Sequence, residues 1–64
     1  MKLIMEIHVY RLDSERIRVL VNGDSYAQLF AGNVKVPVRG NPLTEFAEAI
    51  KMALGEIEKS GKYK

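Results

Sequence analysis

The fold depends on how the stretch "NGDSYAQLFAGN" (residues 22–33) divides into turns and strand. Asn22–Gly23 is a strong signal for a β-hairpin, because both residues tolerate the positive φ that a two-residue turn requires. Gly32–Asn33 supplies a second pair of turn residues. The segment between the two pairs therefore predicts a strand, from about residue 25 to residue 31, that carries Tyr26 and Phe30.

Alternating apolar residues predict strands on both sides of this stretch. Residues 2–12 and 15–21 each place apolar side chains at every second position, and "DS" at Asp13–Ser14 is a turn signal between them. After the second turn pair, "VKVPVR" repeats the same period with three valines. Pro37 cannot donate a hydrogen bond to a neighbouring strand, so this last strand is expected at an edge. The pattern predicts a four-stranded antiparallel meander.

In the last third of the chain, the residue pattern predicts one helix. Asn41 is a favourable N-cap, Pro42 suits the first helical position and Gly61 suits a left-handed stop. Three- and four-residue spacing gives one apolar stripe, which consists of Leu43, Phe46, Ala47, Ile50, Ala53, Leu54 and Ile57. We therefore predict an α+β fold, ββββα, in which residues 1–61 form a single domain with the helix on one sheet face and residues 62–64 form a short basic tail.

The direction in which Tyr26 and Phe30 point depends on the strand register. A two-residue loop at Gly32–Asn33 pairs Ala31 with Val34 and turns both rings away from the valines, toward the face of Lys35. A strict two-residue loop at Asn22–Gly23 has the opposite result, because it pairs Val19 with Tyr26. A three-residue loop or a bulge near Gly23–Asp24 reconciles the two hairpins. We therefore predict that Tyr26 and Phe30 point away from the valines, and the register set by a strict Asn22–Gly23 loop remains the alternative.

The outward orientation creates one surface that combines aromatic and basic side chains. Its predicted site residues, on the sheet face opposite the helix, are Tyr10, Arg16, Arg18, Leu20, Tyr26, Phe30 and Lys35. Tyr and Arg are common in protein interfaces, and this patch is expected to be buried between two copies of the chain. The alternative is a face for RNA or single-stranded DNA, whose bases stack on rings while Arg and Lys neutralise phosphate.

Size gives an independent reason to expect a homodimer. A chain of 64 residues buries only about 60% of the surface that it exposes when unfolded, so its core is marginal. One helix covers about 10–12 Å, whereas four strands at ~4.8 Å each span about 19 Å. Part of the apolar sheet face under the helix is therefore expected to remain uncovered, and a second copy can cover it.

The sequence contains no residue pattern that indicates catalysis or cofactor binding. The chain has no cysteine and a single histidine, His8, and it lacks the repeated glycines of a phosphate-binding loop. We therefore expect no enzyme, no catalytic, metal-binding or cofactor-binding residues, and no small-molecule substrate. No apolar run approaches the roughly 20 residues of a membrane span. Together with the absence of cysteine, this favours a cytoplasmic binding or regulatory module.

Overall fold

A computed structural model describes residues 4–24 and 27–61 of the chain. Three strands, β1 (Met5–Arg11), β2 (Arg16–Gly23) and β3 (Gln28–Lys35), form one antiparallel sheet in the order β1-β2-β3, and helix α1 spans Pro42–Ser60. The predicted α+β class with an antiparallel sheet and one C-terminal helix is confirmed. The predicted fourth strand is absent from the described part of the chain.

The four-strand prediction was wrong because Gly32–Asn33 is not a turn. β3 runs straight through both residues, so that Gly32 opposes Val19 and Asn33 opposes Arg18 in β2. Gly32 instead leaves space on the sheet for the Phe30 ring. A Cβ at position 32 would lie only 3.2 Å from that ring. The residues after Lys35 form an extended connection to the helix, anchored by the Val36 N–H, which donates to the Glu15 carbonyl at 2.7 Å.

The face of Phe30 follows from the continuation of β3 through Gly32–Asn33. Because the strand does not turn there, Phe30 alternates with Gly32 and Val34 and opposes Val21, on the face that packs against α1. A β-bulge lies next to Phe30: Val21 opposes Phe30, whereas Asn22 opposes Gln28, so Leu29 is an extra residue on β3, and its side chain is also buried. A bulge was among the sequence expectations, but near Gly23–Asp24. The outward orientation of Phe30 was therefore wrong.

The helix begins and ends where the sequence predicts. The Asn41 side chain accepts a hydrogen bond from the Leu43 N–H at 3.0 Å, and Pro42 occupies the first helical position. At the other end, Gly61 has φ 68° and donates its N–H to the carbonyls of Ile57 and Glu58. Glycine adopts this left-handed conformation without a steric penalty.

The core lies between α1 and strands β2 and β3. Its buried apolar residues are Ile17, Val19, Val21, Leu29, Val34, Val36, Ala49, Ala53 and Ile57. Ala49 and Ala53, whose side chains are only methyl groups, are the fully buried positions of α1. Met5, Ile7 and Val9 of β1 face the same side but are only half-buried, since α1 contacts β3 and β2 more extensively than β1. One helix thus leaves part of its own sheet face uncovered, as the widths of helix and sheet predict.

Candidate functional site

The sheet face opposite α1, here called the outer face, gathers five of the predicted site residues. The strand register places them on the same side of the sheet: Tyr10, Arg16, Arg18, Leu20 and Lys35. Tyr10 opposes Arg18, which in turn opposes Asn33, so these three side chains form one row across the sheet. Phe30 lies on the other face, and Tyr26 is outside the described residues. The outer face therefore has fewer aromatic rings than the sequence predicts.

Among the described residues, the outer face carries three lysine or arginine side chains, and two of them are paired with carboxylates of the β1–β2 turn. Arg16 Nε donates to Asp13 Oδ2 at 2.8 Å, and Lys35 Nζ lies 3.5 Å from Glu15 Oε2. The Glu15 backbone N–H, followed by the Arg16 side chain and N–H, lowers the pKa of Asp13 to about 2. These pairs line an open cavity of about 530 Å³ at the end of the sheet. Its charges are largely neutralised within the chain.

Arg18 differs from these two cations. It is exposed, and within residues 4–24 and 27–61 no side chain forms a hydrogen bond or ion pair with its guanidinium group. Its neighbours in register are the half-exposed ring of Tyr10 and the amide of Asn33. Arg18 therefore presents a positive charge beside an aromatic ring and an amide.

The single histidine also belongs to the outer face. His8 Nε2 lies 2.8 Å from Glu6 Oε1, and its ring stacks on Tyr10 with a centroid distance of 6.5 Å and an interplanar angle of 8°. Among the described residues, no group of three or more His, Cys, Asp or Glu side chains is placed to hold a metal ion. Glu6 and Tyr10 thus orient His8 on the surface of the strand.

A buried carboxylate in the first turn of α1 joins three parts of the fold. Glu45 is 4% exposed; one carboxylate oxygen accepts from the Arg11 guanidinium, and the other accepts from the Arg39 N–H at 2.8 Å. Arg11 also lies 5.7 Å from the centre of the Phe46 ring. Glu45 thereby ties β1, the connection and α1 together.

The alternating pattern of β1 contains a sequence signal for this network of Arg11, Arg39 and Glu45. Arg11 continues the apolar face of Met5, Ile7 and Val9, so it carries a positive charge onto the core side of the sheet. A charge at such a position requires an opposite charge nearby. Both oxygens of Glu45 are satisfied within the chain, and the described residues contain no buried side-chain nitrogen or oxygen without a hydrogen-bond partner. We assign the network a structural role.

The second candidate surface is an apolar groove between α1 and β1, here called the helix-flank groove. It has a volume of about 680 Å³, and its lining consists of Met5, Ala47, Ile50, Lys51, Leu54, Gly55, Ile57 and Glu58. Leu54 is 38% exposed, and Leu43, which shares this side of the helix by spacing, is 78% exposed. The stripe predicted as core is therefore only half covered by the sheet.

No protein-family model, curated protein or solved structure matches this chain. Among the described residues, no helix is both long enough and apolar enough to cross a membrane.

Proposed function

We propose that this chain is a non-catalytic binding module that works as a homodimer, and that the two copies associate through the helix-flank groove. The observation that carries the proposal is the incomplete cover of the apolar face. Met5 of β1 and Ile50 of α1 line the groove and are only half-buried, and Leu54, which lines it with them, is exposed. Each buried methylene group contributes about 0.8 kcal/mol, so covering this groove stabilises a domain whose own core is small.

The helix side is favoured over the outer face because the two surfaces differ in polarity. The outer face is centred on Leu20 but is surrounded by Glu6, His8, Arg18 and Lys35, and Phe30 does not contribute to it. Apolar side chains dominate the groove lining, with one cation and one anion at its edge. Homodimer interfaces are more apolar than the remaining protein surface. The interface proposed here thus differs from the one that the sequence predicted.

The test is a dilution series by analytical ultracentrifugation on wild type and two matched variants. Leu54→Glu places a charge in the groove and is expected to yield folded monomers. Met52→Glu makes the same kind of change at a residue that is also exposed but does not line the groove, so it should leave the dimer intact. Circular dichroism checks that both variants stay folded. A wild type that remains monomeric up to about millimolar concentration, where only very weak association escapes detection, refutes the proposal.

The unpaired guanidinium of Arg18 favours nucleic-acid binding on the outer face as a second candidate function. Arg18 lies between Tyr10 and Asn33 in register, so one row offers a cation, a ring for stacking and an amide for hydrogen bonds. This candidate ranks below the homodimer because Arg16 and Lys35 are held by Asp13 and Glu15. Both functions are compatible, since they use opposite sides of the molecule.

Binding of a fluorescent single-stranded oligonucleotide at low salt tests this candidate. Arg18→Gln is expected to weaken binding about tenfold and to reduce the dependence of affinity on salt, because one phosphate contact is lost. Lys59→Gln removes the same charge from the last turn of α1 and should have little effect. Equal losses in both variants indicate attraction by net charge alone and contradict a site at Arg18.

A further inference from the structure

We propose that the two copies pack α1 against α1 in antiparallel orientation, around a two-fold axis that passes between Leu54 and Gly55. In this arrangement Lys51 of each copy pairs with Glu58 of the other. The inference rests on the proposed homodimer and goes further, because it names the surface, the orientation and the contacts. It follows from two independent features of the helix: its apolar spacing and its edge charges.

The first feature is a second apolar stripe on α1. Its members, at alternating four- and three-residue spacing, are Leu43, Ala47, Ile50, Leu54 and Ile57. This is the spacing by which one helix packs along another. At 100° per residue the stripe is centred about 100° around the helix from Ala49 and Ala53, which are buried against the sheet. The helix thus has one face for its own sheet and an adjacent face for a second helix. This adjacent face is about 16.5 Å long, from Leu43 to Leu54, because Ile57 is already buried in the core.

The second feature is the pair of charges at the edge of the stripe. Lys51 and Glu58 both line the helix-flank groove and are separated by seven residues, or two turns, so they lie on the same side of the helix about 10.5 Å apart. A two-fold axis midway between them pairs each lysine with a glutamate. An axis at Lys51 or at Glu58, or a parallel arrangement, brings like charges together. The charges therefore select the antiparallel register centred on Leu54–Gly55.

Charge-reversal variants test the register. Lys51→Glu and Glu58→Lys each convert both interfacial pairs into like charges, and each is expected to raise the dimer Kd about tenfold. An equimolar mixture of the two variants should form heterodimers with wild-type affinity or better, because every pair then joins unlike charges. The two positions are seven residues apart within one helix, so they do not pair within a chain. Recovery on mixing therefore reports a contact between chains. Glu56→Lys, outside the groove lining, is the control.

The results of these experiments distinguish an error in the helix register from an error in the proposed homodimer. If wild type dimerises and Leu54→Glu dissociates it, but the charge-reversal mixture does not recover affinity, the register is wrong and the homodimer stands. If wild type is monomeric, both fail. If wild type is a dimer that Leu54→Glu does not affect, the interface lies elsewhere and both the groove and the register are overturned.

Discussion

Glu45→Gln is the substitution that most directly tests the role of the buried carboxylate. Glutamine keeps the shape of the side chain but offers one oxygen instead of two. Its NH₂ group must therefore face a donor, either the Arg11 guanidinium or the Arg39 N–H. Breaking a fully buried ion pair costs 3–5 kcal/mol, and Arg11 is partly exposed, so we expect a loss of about 2–3 kcal/mol. A chain of this length is expected to have an unfolding free energy of roughly 3–10 kcal/mol.

Urea denaturation at one fixed protein concentration measures this loss. With an m-value of about 1 kcal/mol/M, the midpoint should fall by roughly 2–3 M. Glu48→Gln is the matched control, because Glu48 lies one turn further along α1 and pairs with Arg39 at 3.1 Å on the exposed surface. Exposed ion pairs contribute about 0.5 kcal/mol, so this midpoint should fall by roughly 0.5 M. Similar midpoints for the two variants refute the structural role of Glu45.

Two further predictions follow from the pKa of Asp13 and from the position of Phe30. The pKa of Asp13 is lower in the folded chain than its ordinary value, so the stability that Asp13 contributes is present above about pH 4 and is lost as the pH falls toward 2. Asp13→Asn should therefore flatten this part of the dependence of the urea midpoint on pH, and an unchanged acid profile contradicts the assignment. Phe30→Ala should lower the unfolding free energy by about 2 kcal/mol, because the ring packs against the core over Gly32. Tyr10→Ala, at a half-exposed ring on the outer face, should cost less than about 1 kcal/mol, and equal losses indicate that the two rings have similar surroundings.

The candidate site was predictable only in part, and the reason is that β3 continues through Gly32–Asn33. Alternation within β1 and β2 correctly places Tyr10, Arg18 and Leu20 together, because the period of a regular strand is fixed by its backbone. The same rule puts Phe30 on the face of Lys35 only if the chain turns at Gly32–Asn33. Without that turn, Phe30 alternates with Gly32 and Val34 on the core side.

By itself the sequence determined the elements whose causes are local. Asn41, Pro42 and Gly61 set the ends of the helix through hydrogen bonds and backbone geometry within one turn, and apolar alternation set β1 and β2. Only the tertiary structure decided that Gly32–Asn33 continues a strand and that Glu45 is buried. The physical reason is that these outcomes depend on distant partners: β2 provides hydrogen bonds along the whole of β3, and Arg11 reaches Glu45 from the opposite end of the sequence. Local propensity is overridden where such contacts are formed.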